Sequence, residues 1–354
     1  MKILMAMSGG VDSSVAAYLL RKDGNEVIGC TMKLFSADTV GIRTKSCCSL
    51  DDAEDARSVA YKLGMKYYVF NFQDDFKDKV IDKFVKSYER GETPNPCVDC
   101  NRYMKFEKLY LRAKVLGCDH IATGHYARVV FENGRYLLKR ALDKSKDQCY
   151  VLYMLTQEEL AHTLFPLGDL TKSETRKIAA ENGFVNADKP DSQDICFVPD
   201  GDHTKFIRSY TQKDYPRGDF ISKSGEVLGR HEGIIKYTIG QRKGLGLSIG
   251  ERAFVGSVDA AANTVTIVKE SELYKSAFIA DHFNWIAEEP SKEIECRVQT
   301  RYHGKEAEAT ALPLGGGEVL IRAKTPLRAV TAGQSAVLYD GETVLGGGEI
   351  REVR

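Results

Sequence analysis

Net charge and long apolar runs are both missing from this chain. Its 50 Lys plus Arg are balanced by 50 Asp plus Glu. That balance excludes a uniformly basic nucleic-acid coat, though not a local basic face. No apolar stretch approaches the roughly 18 residues that span a bilayer. The opening MKILMAMSGGVDSS lacks the basic flank, long apolar core and small-residue cleavage site of a secretory leader, so a cytoplasmic protein is expected. Repeats of fixed period and low-complexity tracts are also missing. What is present is ordinary for a folded protein: 43% apolar and 28% charged residues over 354 positions. That excludes overall disorder and suits two or three domains at roughly 150 residues each. Nine cysteines, an odd number in a chain too long to need a disulfide scaffold, point to core packing, metal binding or thiol chemistry.

The first half alternates strand-like and helix-like segments, the pattern of an α/β layer built on a mainly parallel sheet. Strands are expected at residues 2–7, 26–33, 66–71 and 120–123, and helices at 11–22, 50–63, 76–90, 106–116, 157–162 and 172–182. Asn133–Gly134 carries hairpin chemistry at the centre of residues 128–139. Between residues 91 and 96, Pro94 and Pro96 are expected to force an extended loop. After about Asp200 the texture changes to short alternating strands with Gly-rich turns, at 225–228, 253–259, 264–268, 294–301, 307–312, 318–321 and 334–339. The triplets Gly315–Gly317 and Gly346–Gly348 are expected to turn hairpins, and a boundary between two small β modules is expected near 274–283. The domain reading is therefore 1–200, 201–275 and 276–354.

Between the first strand and first helix stands Ser8–Gly9–Gly10–Val11–Asp12–Ser13–Ser14. Glycines there let backbone N–H groups approach an oxyanion, and the helix N-terminus favours negative charge. Asp12 offers a carboxylate to Mg²⁺. The G-x-x-x-x-G-K-[ST] and G-x-G-x-x-G spacings are both absent, so this is neither a Walker A loop nor a dinucleotide fingerprint. A plain serine-capped turn is the bland alternative. Two glycines, an acid and three serines within seven residues favour phosphate.

Cys97 and Cys100 form C-V-D-C after the two prolines, and Cys196 follows about a hundred residues later. One such pair is compatible with redox chemistry, metal ligation or nucleophilic catalysis. Structural zinc usually wants two pairs. Cys30, Cys118, Cys149 and Cys296 lie in or beside apolar segments and are expected in cores. Cys47–Cys48 precedes a helix, whose N-terminus would lower a thiol pKa; a local loop motif at the site's mouth is the plainer reading.

S-G-G-V-D-S-S on a first strand resembles the PP-loop of the N-type ATP pyrophosphatases. The rest of the chain is similar to the tRNA-specific 2-thiouridylases, through T-P-N-P-C-V-D-C-N-R-Y-M-K-F (Thr93 to Phe106), A-T-G-H-Y-A-R (Ala122 to Arg128), K-D-Q-C-Y-V-L (Lys146 to Leu152), F-P-L-G-D-L-T-K (Phe165 to Lys172), D-S-Q-D-I-C-F (Asp191 to Phe197) and Y-T-I-G-Q-R-K-G-L-G (Tyr237 to Gly246). The resemblance covers almost the whole chain. It implies a parallel-sheet PP-loop domain, of the adenine nucleotide alpha hydrolase-like kind, followed by two small β-rich domains. It implies ATP and Mg²⁺ as cofactors, with ATP held by Ala6, Met7, Ser8, Gly9, Gly10, Val11, Asp12, Ser13, Met32 and Gly124. It makes Cys100 the nucleophile and Cys196 the persulfide carrier, the two pairing as a transient disulfide. Asn95, Pro96 and Cys97 would meet the target base. His125, Lys146, Asp147, Gln148, Arg301, Tyr302 and Gln334 would contact tRNA.

The implied activity is sulfurtransfer to the wobble uridine of tRNAs for Lys, Glu and Gln, with a cysteine desulfurase or relay protein as donor. Some members carry Asp where Cys97 stands, so an acid–base role there is not carried over. Cys97, Cys100 and Cys196 as three ligands of an iron–sulfur cluster form an alternative. Residues 33–50 and 197–211 are expected to order on tRNA binding. Two rivals stand beside this reading. One is a PP-loop synthetase or thiolase with another substrate; the other is an ATP-binding redox or iron–sulfur sensor that carries RNA unmodified.

Overall fold

Strand β1 (Lys2–Ala6) is buried along almost its whole length, as a run apolar on both faces demands at the centre of a parallel sheet. It is followed by α1 (Val11–Lys22), β2 (Glu26–Lys33), α2 (Leu50–Lys62) and β3 (Lys66–Asn71), then β4 (His120–Ala122) and the two-residue β7 (Thr163–Leu164). All pairings are parallel, in the order β3-β2-β1-β4-β7. The order reverses between β1 and β4, so the crevice for a ligand lies at their carboxyl ends. Helix α1 fills one side with Val11, Val15, Ala16 and Leu20 against Ile3 and Met5. The expected parallel α/β layer is what forms.

The computed structural model describes residues 1–36, 50–190, 195–198, 200–247, 250 and 252–354. Cys47, Cys48 and Asp191–Asp194 lie outside the described residues, as does most of the 33–50 segment. The chain divides into two units that exchange segments. The first comprises Met1–Val80, Cys97–Gly201 and Gly341–Val344, and the second Ile81–Pro96, Asp202–Asp340 and Leu345–Arg354.

The first unit also contains α3 (Leu109–Val115), α4 (Gln157–Ala161) and α5 (Lys172–Glu181). Helices α4 and α5 each open with a capping box, Thr156 with Glu159 and Thr171 with Glu174. The hairpin β5 (Ala127–Glu132) and β6 (Arg135–Arg140) turns at Asn133 and Gly134, both at positive φ, as Asn-Gly requires. Two expectations change here. The 76–90 helix is interrupted by a π-helical turn at Lys77–Ile81. Pro96 does not end an extended loop: it is the first residue of a helical turn, Pro96–Asp99, where its missing N–H costs nothing. That turn continues into a π-helix, Cys100–Lys108, so the C-V-D-C pair rides on a helix.

In the second unit β8 (Gly218–Ile221), β9 (Val227–His231), β10 (Phe254–Asp259) and β11 (Thr264–Val268) form one sheet in the order β10-β11-β8-β9. The remaining strands are β12 (Tyr274–Trp285), β13 (Ile294–Gln299), β14 (Ala307–Gly315), β15 (Glu318–Arg328), β16 (Ser335–Asp340) and β17 (Thr343–Val353). They run in the order β12-β15-β14-β13-β16-β17, and β12 pairs back onto β17, closing a barrel with no free edge. Phe278, Val298, Ile321, Leu338 and Ile350 fill it. The stretch expected to be a boundary is thus mostly strand. Gly315–Gly317 turns as expected, but Gly346–Gly348 lies inside β17. A Cβ at Gly346 would come within 2.8 Å of the Phe283 ring, and one at Gly348 within 2.6 Å of the Asp281 carbonyl, where β12 bulges. Residues His203–Thr211 form a helix capped by Asp202.

Candidate functional site

The segment after β1 turns through Gly9, whose φ of +76° an L side chain rarely adopts. A Cβ there would also strike the Asp52 backbone of α2. Gly10 is the N-cap of α1 and offers no side chain to its first N–H groups, so these remain for an anion. Ser13 Oγ donates to the Gly10 carbonyl at 3.0 Å and accepts from the Ser8 N–H at 3.2 Å. Ser14 Oγ donates to the same carbonyl at 3.1 Å. Ser8 is exposed, Val11 and Ser13 are buried, and Ala6 and Met7 end a buried strand. Met32 is half-buried at the end of β2.

Gly124 follows β4, across the switch point. A Cβ there would lie 2.8 Å from the Ser13 nitrogen, so the absence of a side chain lets this strand end close onto the start of α1. The close approach expected of Gly124 is therefore made to backbone.

Asp12 is not an open carboxylate. Lys172 Nζ, at the start of α5, donates to both of its oxygens at 2.7 Å, and Tyr126 Oη donates to Oδ1 at 2.8 Å. The Asp12 side chain, 32% exposed, is thus neutralised by Lys172 at the start of α1.

Cys97 is exposed, and Cys100 and Cys196 are half-buried. The turn bearing Cys196 is anchored by Phe197, which is fully buried with its ring edge-on to Phe76. Among the described residues no three His, Cys, Asp or Glu side chains gather so as to hold a metal ion. Cys30, Cys118, Cys149 and Cys296 are buried as expected, and burial pushes the Cys296 thiol up to about 12.

Several residues singled out for RNA are engaged inside the protein. His125 is buried between Phe106 and Phe165, with Nδ1 against Thr123 Oγ1 at 2.7 Å and Nε2 receiving Lys105 Nζ at 3.4 Å. Asp147 is paired with Arg140 at 2.9 Å, its side chain only 6% exposed. Gln148 Oε1 accepts the Tyr126 N–H at 3.0 Å. Arg301 Nη2 donates to the Ala329 carbonyl at 2.8 Å and the Ile239 carbonyl at 3.3 Å. Gln334 Nε2 donates to the carbonyls of Thr93 and Pro94, at 2.8 and 3.3 Å, fixing the loop that carries half-buried Asn95 and buried Pro96. Lys146 and Tyr302 are half-buried, and the Tyr302 ring lies 4.5 Å from that of His303. Sequence reasoning missed Lys172, Tyr126 and Lys105, whose value depends on partners over 100, over 100 and 20 residues away.

Burial, then the nearby Lys105, holds the His125 imidazole well below its ordinary 6.5. An unfolded chain takes up a proton near that value while the folded site stays neutral. The stability His125 contributes is therefore full above pH 6.5 and is lost as pH falls below it, by about 1.4 kcal/mol per pH unit. Burial lowers His120, His203 and His231 in the same direction. Urea melts between pH 7.5 and 5.5 should show the fall, and His125→Gln should flatten it by about one proton's worth.

A five-stranded parallel sheet, a glycine-serine phosphate loop on β1 and a strand-end cradle at Gly124 together define a PP-loop, HUP-type nucleotide-binding protein. The family models agree: one described as tRNA methyl transferase HUP domain matches residues 1–200, a PRC-barrel domain of the same name 204–269, and an aminomethyltransferase beta-barrel domain 275–350. A protein of Clostridium acetobutylicum named tRNA-specific 2-thiouridylase MnmA is 49% identical over 352 residues, covering 99% of each chain. One of Caldanaerobacter subterraneus, named tRNA-specific 2-thiouridylase MnmA 2, is 50% identical over 359 residues, covering 100% of this chain and 99% of its own. The chain belongs to the tRNA-specific 2-thiouridylase family. ATP binding follows from that membership. Among solved structures, NMN synthetase from Francisella tularensis overlaps at 16% identity with a TM-score of 0.35, covering 61% of this chain and 78% of its own. No helix among the described residues is long and apolar enough to cross a membrane.

Proposed function

We propose that this protein thiolates tRNA: it adenylates the 2-oxygen of the wobble uridine in tRNAs for Lys, Glu and Gln, then replaces that oxygen with persulfide sulfur. The observation that carries this is identity near 50% along the whole chain to proteins named as tRNA 2-thiouridylases. Cys100 and Cys196 would supply that chemistry with its two sulfur centres. Methyl transfer, the term in the family-model description, would leave both thiols and the phosphate loop without a purpose. The modules would divide the work as 1–200 for catalysis, 201–275 as a central domain and 276–354 as a tRNA-contacting barrel.

The steps follow from the residues. The uridine 2-oxygen attacks the α-phosphorus of ATP, pyrophosphate leaves, and a poor leaving group becomes AMP. The loop 8–13 holds the phosphates through backbone N–H groups, while Ala6, Met7, Met32 and Gly124 border the nucleotide. Mg²⁺ would arrive on the nucleotide, held by phosphate and water oxygens. The terminal sulfur of a Cys196 persulfide attacks C2 and AMP leaves, giving a C2–S–S–Cys196 linkage. The Cys100 thiolate then attacks the Cys196 sulfur, freeing the thiocarbonyl and closing a Cys100–Cys196 disulfide, which an external thiol must reduce. Cysteine desulfurase, directly or through a relay protein, would supply the persulfide.

Asn95, Pro96 and Cys97 are the groups proposed to meet the uridine, pulled from the anticodon stack at lower cost in a loop than in a duplex. Lys146 and Tyr302 are the proposed outer contacts. The decisive experiment is anaerobic: protein, ATP, Mg²⁺, a persulfide donor and unmodified tRNA, with nucleosides read by mass spectrometry. Wobble uridine should gain one sulfur-for-oxygen mass difference. Unchanged tRNA with a persulfide-loaded protein would refute the assignment.

A further inference from the structure

The phosphate loop is held from behind by a segment the nucleotide chemistry does not use. Asn186 is buried, 2% exposed, and lies over 170 residues downstream of the loop. Its Nδ2 donates to the Gly9 carbonyl at 2.9 Å and to Ser14 Oγ at 2.9 Å. Lys189 Nζ stands 3.5 Å from the same carbonyl, and is tied to Asp52 and, at 2.9 Å, to Asp55, both on α2. The Asn186 amide oxygen is buried with no partner among the described residues. Its placement is therefore set by the two bonds its nitrogen gives.

We infer that Asn186, backed by Lys189, is a positioning residue for phosphate binding: by capturing the Gly9 carbonyl it turns the loop's N–H groups toward the nucleotide. The geometry is simple. In a trans peptide the carbonyl of Gly9 and the N–H of Gly10 point in opposite directions. With the carbonyl drawn into the protein by Asn186, the Gly10 N–H points the opposite way. Gly9 at φ +76° is one of the few residues able to hold that peptide orientation, and the Asp52 backbone closes off its other side. Ser14 is fixed by the same amide, and its hydroxyl in turn holds the Gly10 carbonyl. A loop that would otherwise rotate its peptide planes is thus set before the anion arrives, which is what preorganised donors require.

The role rests on the ATP reading above, and the test separates the two. ATP, inorganic pyrophosphate and adenosine are titrated calorimetrically into wild type, Asn186→Ala and the near-isosteric Asn186→Asp. Loss of one orienting hydrogen bond should weaken ATP and pyrophosphate about tenfold in the Ala variant. The Asp variant, with an acceptor facing the Gly9 carbonyl, should lose at least as much. Adenosine, which has no phosphate, should bind all three proteins within about twofold. Undiminished pyrophosphate affinity in both variants, or equal weakening of adenosine, would overturn the positioning role. A wild type that binds adenosine but not pyrophosphate would instead remove the phosphate-loop assignment, and this role with it.

Discussion

Cys100→Ser is expected to bind ATP and tRNA as wild type does and to form no free 2-thiouridine, a loss of about 10³-fold or more. The reason lies in which bond that thiol breaks. In the proposed sequence the tRNA is joined to Cys196 through S–S once the persulfide sulfur has displaced AMP, and a serine hydroxyl does not cleave a disulfide. The variant should therefore accumulate a protein–tRNA adduct, visible on a non-reducing gel and released as thiolated tRNA by dithiothreitol. Cys196→Ser should give neither product nor adduct when a persulfide donor is the sulfur source. Phe197 buried against Phe76 holds that turn whether or not the sulfur is present, so the variant should fold. An adduct that forms equally well without Cys196 would transfer the carrier role to another cysteine, with exposed Cys97 first in line.

The second large effect is expected at Lys172. Removing its ammonium leaves the Asp12 carboxylate, whose side chain is 32% exposed, unneutralised in the first turn of α1, beside the place where three phosphates must sit. An uncompensated charge of that kind costs far more than the net value of the pair, because its repulsion falls on the ligand. Lys172→Met should weaken ATP by about 100-fold, close to 2.7 kcal/mol. Helix α5 should persist, since the Lys172 backbone N–H is held separately by Asp143 at 3.0 Å. Adding Asp12→Asn to Lys172→Met should recover most of the affinity, by removing the charge that lost its partner. Unchanged ATP binding in the single variant would make the pair scaffolding only.

What could be read from the chain, and what could not, follows the range of the interactions. The boundaries of α1, β2 and β3 are local matters of apolar period and a glycine stop, and those three elements form where expected. The loop on β1 was legible for the same reason, since glycine and serine act through their own backbone. Strand β17 was missed because its glycines look like a turn until the bulge of β12 is placed over them. Helix His203–Thr211 was not read because its first turn depends on an Asp202 cap and its burial on Phe206 and Ile207 finding distant partners. Asp147 and Arg301 resembled surface charges in sequence, yet one is buried in an ion pair and the other ties three loops together. Asn186 carried no sequence signal at all: its meaning is a carbonyl on another loop.

The exchange of segments between the two units also sets a clock. The helix Asp82–Glu89 and the loop after it are made early, but nearly everything they pack on in their own unit is made late. Phe84 meets Phe206, Asp82 accepts from Tyr210, Gly91 lies on Val258, and Thr93 is held by Gln334. At about 5–20 residues per second, the ribosome delivers Gln334 on the order of ten seconds or more after Thr93. That early segment of the second unit therefore packs into its own unit only when the chain is almost complete.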